Sequence, residues 1–148
     1  MIIGNSKRGV DRGQLRLSAP ADSVVTNKNT YQKISGTFTD GESFNFSVSA
    51  NKLKFNGADN SVFLFNGSSE LRVDKITEIT YALYKNGQII ADTETPHTFV
   101  ALAKTSSIGI TAIIKLNNGD ELDVYVKTGD DNITISVKTL NIALWGEK

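Results

Sequence analysis

Four Asn-Gly pairs punctuate this chain, at Asn56-Gly57, Asn66-Gly67, Asn86-Gly87 and Asn118-Gly119. Asn and Gly accept the positive φ that a two-residue hairpin turn demands of its central positions. Around these pairs apolar residues recur at every second position. Ser43 to Ser49 puts Phe44, Phe46 and Val48 on one face. Glu121 to Lys127 does the same with Leu122, Val124 and Val126, which leaves Tyr125 pointing outward. A period of two is that of a half-buried strand. Each Asn-Gly pair is therefore expected to close a turn, and the segments between them to pair as strands.

Other segments fill in the pattern. Val62 to Phe65 is a short continuous apolar run, expected as a strand buried on both faces. Leu71 to Ile79 has a spacing that suits a helix as well as a strand. The β-branched Ile76, Thr77 and Ile79, with Thr80 after them, favour the strand. Glu78 to Lys85 then alternates, Asn86-Gly87 turns it, and Gln88 to Asp92 is expected to return. Ile108 to Leu116 is a further β-rich run. Ile133, Ile135 and Val137 alternate in odd phase, whereas Leu140, Ile142 and Leu144 alternate in even phase. That slip at Lys138–Thr139 requires a bulge, a bend or two separate strands. Eight to ten short strands at close spacing predict an all-β sandwich or barrel. With 148 residues the chain suits one domain with a core of its own.

The first 28 residues read differently. They lack periodicity, carry Gly4, Gly9, Gly13 and Pro20, and set Lys7, Arg8, Arg12, Arg16 and Lys28 against Asp11 and Asp22. We read residues 1–28 as an extended basic arm and residues 29–148 as the folded domain. Lys7, Arg8, Arg12 and Arg16 are its candidate docking residues, with an acidic protein surface as the expected partner. Four bases without interleaved aromatics are too sparse a pattern to point to nucleic acid. No apolar run reaches the length of a membrane span, so no membrane partner is expected. The opening Met1 to Gln14 has no apolar h-region, so no secretion signal is expected there.

Catalytic and metal chemistry find little support. The chain has no cysteine and one histidine, which excludes thiolate zinc and multi-histidine sites. A Ser/His/Asp arrangement would need His97 with Ser106 or Ser107 and Asp92, and no nucleophile-elbow glycines surround either serine. The acids Asp120, Glu121, Asp123, Asp130 and Asp131 sit in and beside turns without the spacing of a known calcium loop. We expect no enzyme and no cofactor. Tyr31, Tyr81, Tyr84, Tyr125 and Trp145 could stack on sugar rings if exposed together. Cross-strand packing is the simpler expectation.

The order of these pieces resembles the trimeric jelly-roll domains of the C1q/TNF-like type, as found in bacteriophage fibre and head-decoration proteins. The resemblance is carried by Gly36-Thr37-Phe38, by the Tyr84-Lys85-Asn86-Gly87 hairpin, and by the strand–turn–strand from Ile113 to Val126 with Gly119-Asp120 at its turn. It ends with Asn132 to Ile135 and a closing strand from Thr139 to Trp145, so it covers residues 30 to 146. It implies a jelly-roll antiparallel β-sandwich with an extended N-terminal arm, assembled as a homotrimer. It further implies a closing strand near the threefold axis, with Leu140, Ile142, Leu144 and Trp145 as trimer-interface or core candidates. The expected role is structural, in a decoration, spike or head-fibre protein on the outer surface of a virion made in a host cytoplasm. The arm would attach it to a major capsid protein or another virion protein. The alternative is a carbohydrate- or receptor-binding module at a fibre tip, with a host surface glycan as partner.

Overall fold

A computed structural model describes residues 10–99 and 105–146. In chain order the strands are β1 (Arg12–Pro20), β2 (Asp22–Val25), β3 (Gln32–Lys33), β4 (Gly36–Asp40), β5 (Phe46–Ser49), β6 (Lys52–Phe55) and β7 (Ser61–Val73). They continue as β8 (Glu78–Lys85), β9 (Gln88–Ile89), β10 (Thr95–Thr98), β11 (Ser106–Leu116), β12 (Glu121–Thr128) and β13 (Ile133–Gly146). One short 3-10 turn, Ala91–Thr93, lies between β9 and β10. The strands form two antiparallel sheets. One runs β11-β7-β13-β1-β4, with β2 continuing β1's side of β13. The other runs β10-β8-β12-β6-β5, with β3 on β12 and β9 on β8.

The sheets face each other across a core made by the alternation read from the sequence. Leu122, Val124 and Val126 of β12 point inward, as do Ile79, Tyr81 and Leu83 of β8. From the opposite sheet come Phe63, Phe65 and Leu71 of β7 and Ile108, Ile110 and Ile114 of β11. Phe46, Phe55 and Phe63 form a triangle of rings with centroids 5.0 to 5.2 Å apart, mostly edge to face. That geometry sets positive ring edges against negative faces, beyond the gain from burial itself.

The phase slip at Lys138–Thr139 is a β-bulge. The β13–β7 register shifts between Val137 and Thr139, so both halves of β13 bury their apolar residues in one core. Ser69 holds the bulge. Its hydroxyl donates to the Thr139 carbonyl at 2.8 Å and accepts from the buried Tyr81 hydroxyl at 3.0 Å. The Thr139 hydroxyl in turn accepts from the Glu70 amide. The bulge residues' polar groups thus find partners inside the strand pair.

Several expectations need correction. Residues 1–28 are not one arm. β1 pairs with β13 on one side and β4 on the other, and β2 pairs with Ile133–Ser136, so the sandwich begins at Arg12. Local periodicity missed this segment because β1 alternates for only one stretch, with Gly13 and Leu15 inward. Asn66-Gly67 does not turn. It lies inside β7, where a side chain on Gly67 would come within 3.3 Å of the Phe65 ring. That glycine serves close packing. Val62 to Phe65 is buried on one face only, and Leu64 is exposed. The return strand after Asn86-Gly87 stops at Ile89, and the 3-10 turn replaces its second half.

Candidate interaction surface

The outer face of the β11-β7-β13-β1 sheet has no described element over it, and its residues are exposed or half-buried. The pairing registers place its side chains in rows across the strands. One row is Ile113–Leu64–Trp145–Arg12. Ile113 is 76% exposed, Leu64 49% and Trp145 52%, so three large apolar side chains lie side by side in water. The next row is Thr111–Asn66–Ala143–Gln14, and the one beyond is Gly109–Ser68–Asn141–Arg16. The apolar row is thus flanked by Lys115 and Val62 on one side and by neutral polar rows on the other, with Arg16 and Glu70 further along. Beside Trp145 runs a groove of about 270 Å³, walled by Arg12, Gln14, Glu42 and Ala143. An uncovered apolar row on a flat sheet is the kind of surface that marks an interaction site.

The residues singled out from the sequence fall as follows. Leu140, Ile142 and Leu144 do not reach this face. They point inward from β13 and are core residues, which corrects their placement at an interface. The period of two explains the split, since Trp145 is one step out of phase with them and points outward. Arg12 and Arg16 belong to β1 and lie on the same outer face, Arg12 opposite Trp145 and Arg16 opposite Asn141. They are parts of the sandwich and not of a free arm. Lys7 and Arg8 lie outside the described residues. Leu64 and Ile113 were missed by the sequence reading. Each sits in an apolar run whose two faces cannot be told apart without knowing which is covered.

The second sheet carries a different cluster on its outer face. Tyr84 and Tyr125 stack with ring centroids 3.8 Å apart and planes 12° from parallel. Tyr31 meets Tyr84 edge-on at 5.7 Å. The Tyr31 hydroxyl donates to Glu94 at 2.6 Å, and the Lys127 ammonium sits 4.9 Å from the Tyr31 ring and 3.6 Å from Glu94. Partial burial, then the Glu94 carboxylate, push the Tyr31 phenol above its usual range. Beside them Lys33 donates to the buried Asp123 at 3.2 Å and to the Asn51 carbonyl. Desolvation lowers the Lys33 ammonium's pKa, and Asp123 opposes that shift.

His97 and Ser106 are brought together, with Nε2 and Oγ 3.1 Å apart. They join β10 of one sheet to β11 of the other. Among the described residues no carboxylate hydrogen-bonds the imidazole, and Asp92 lies exposed on the 3-10 turn. The pair lacks the orienting third group of a nucleophilic triad. Two of the acidic turn residues are held by neighbours. Asp120 accepts from the Asn86 side chain and the Asn117 amide, and Asp131 accepts from the Lys28 amide.

No protein-family model and no curated protein matches this sequence. Solved structures do match the fold. The Eiger TNF of S. frugiperda superposes with a TM-score of 0.65 at 9% identity, over 93% of this chain and 92% of that one. Murine APRIL, from crystals at pH 5.0, superposes with a TM-score of 0.62 at 11% identity, over 90% of this chain and 98% of that one. At such identity the likeness is one of fold. Two facing antiparallel sheets, their strand order and this near-complete overlap make the chain a TNF-like jelly-roll β-sandwich.

Proposed function

We propose that this chain is a structural, non-enzymatic virion protein that works as a homotrimer, built through the outer face of the β11-β7-β13-β1 sheet. The observation that carries the reading is the exposed row Ile113–Leu64–Trp145 on an uncovered sheet. A closed ring would bury the row at the symmetry axis and leave the tyrosine cluster of the other sheet facing outward. The virion setting follows the resemblance to phage decoration and head-fibre proteins. The segment before Arg12, with Lys7 and Arg8, is the part left to attach the trimer to a capsid protein.

Light scattering on the full chain tests the assembly. The expected mass is three times the 16.1 kDa of one chain. Trp145→Asp and Ile113→Asp should each shift the protein to monomer without loss of its β-sheet circular dichroism. A monomer for the parent chain would overturn the reading. Attachment is tested separately, by comparing the full chain with one lacking residues 1–9 for co-sedimentation with undecorated capsids.

A further inference from the structure

We infer that the Tyr31–Tyr84–Tyr125 cluster is a binding site for a neutral saccharide, with one site per chain on the face away from the proposed assembly surface. Three observations lead there. First, these tyrosines are no part of the sandwich core, which closes beneath them with Leu83, Val124 and Val126. All three remain half-buried on the outside of the sheet. A side chain with an apolar ring and a polar tip suits a ligand whose own surface alternates C–H faces and hydroxyls. Second, hydrogen-bonding groups of both kinds stand within the same patch. Glu94 offers carboxylate oxygens, Lys127 an ammonium, and the tyrosines phenolic hydroxyls. The Tyr31 phenol is oriented by its 2.6 Å bond to Glu94, which pre-organises that side of the site. Third, the charges cancel in pairs, Lys127 with Glu94 and Lys33 with Asp123. Charges already paired within the protein leave little to hold an anionic or cationic ligand, and a neutral pyranoside fits the patch best.

The site is complete within one chain, so it stands whether or not the trimer forms. A trimer would present three copies on one particle and multiply a weak single-site affinity.

The test uses the full-length protein with its tyrosine rings isotope-labelled and observed by NMR. The probes are the methyl glycosides of galactose, glucose and mannose, with N-acetylneuraminic acid as the charged control. At least one neutral glycoside should shift the Tyr31, Tyr84 and Tyr125 ring signals in a saturable way. Its dissociation constant should be on the order of 1–10 mM, the range open to a ligand of about a dozen heavy atoms. Tyr125→Ala should weaken that binding about tenfold or more, while Val24→Ala, exposed on β2 of the opposite sheet, should leave it unchanged. Tyr125→Phe keeps the ring stack and removes only the hydroxyl, so it decides the matter if the alanine variant misfolds. It should bind measurably, and more weakly than the parent. The inference is overturned if none of the three neutral glycosides produces a saturable shift up to about 100 mM. It is equally overturned if Tyr125→Ala binds as tightly as the parent, or if only the charged control binds. Mass measured on the same samples reports on the assembly independently of these outcomes.

Discussion

Leu144 and Trp145 are neighbours in β13 with opposite surroundings, one fully buried and the other half in water. The difference sets two kinds of outcome at the residue scale. Leu144→Ala removes methyl groups from a packed core and leaves a cavity. It should cost about 2–5 kcal/mol in chemical denaturation. Trp145→Ala should leave stability within about 1 kcal/mol when measured on the monomer, because its ring is not packed in the core. Ser69 poses a third case. Its hydroxyl serves the Thr139 carbonyl and the Tyr81 phenol together. Ser69→Ala should cost about 1–3 kcal/mol, since two buried groups lose a partner at once. Urea unfolding checks all three, and a neutral Ser69→Ala would show that the bulge needs no side-chain support.

At the scale of the element, two Asn-Gly pairs show why a motif needs its context. Asn86 and Gly87 both have positive φ, at 52° and 79°, as the tight turn between β8 and β9 demands. Nothing lies within 4 Å of a side chain added at Gly87. Gly87→Ala therefore meets only the backbone penalty, and should cost about 1–2 kcal/mol. Gly67 is not among the positive-φ residues and sits inside both β7 pairings, opposite Ile110 of β11 and Ile142 of β13. What it provides is space beside Phe65. The strand reading of Glu78 to Lys85 and the inward set of β12 were legible because their alternation is strict over a whole strand. β1 was not legible. A strand that alternates briefly, among glycines and charges, acquires its structure from β13 and β4 and not from its own residues. This gives a test by truncation. Removing residues 1–9 should leave a cooperative thermal transition. Removing residues 1–20 should abolish it, because β13 and β4 lose the strand between them.

For the whole molecule, buried ionisable groups tie stability to pH. Tyr81 lies inside the sandwich, where desolvation raises its phenol pKa above the ordinary value of 10.0. The native state thus keeps a proton that the unfolded chain gives up. Stability from this group is fully present below pH 10 and falls as pH rises beyond it, by about 1.4 kcal/mol per unit. Tyr31 acts in the same direction from a more exposed position. Lys33 acts oppositely. Its pKa is lowered, so stability rises between that lowered value and the ordinary 10.5, and Lys33 adds nothing further above it. Unfolding titrations should therefore show a steep loss above about pH 10.5 that Tyr81→Phe makes shallower. An unchanged slope in that variant would place the alkaline transition elsewhere. The same scale decides the functional surfaces. The apolar row draws on three strands from distant parts of the chain, β7, β11 and β13. The tyrosine cluster draws on β8, β12 and the segment before β3.

The sequence by itself determined the class of the fold. Period-two alternation, hairpin glycines and the phase slip in β13 are local signals, because a side chain's face follows from its neighbours along the strand. It also determined which residues of β13 alternate together. For strands apolar on both faces, the packing of the two sheets settled which face is the core. That choice depends on what covers a strand, and the cover comes from the other sheet. It moved Leu140, Ile142 and Leu144 inward and left Leu64, Ile113 and Trp145 in water. It also drew Arg12 and Arg16 out of an expected arm and into a paired strand. Tyr31, Tyr84 and Tyr125 meet for the same reason. Residues far apart in the chain share one patch only once the register between their strands is set.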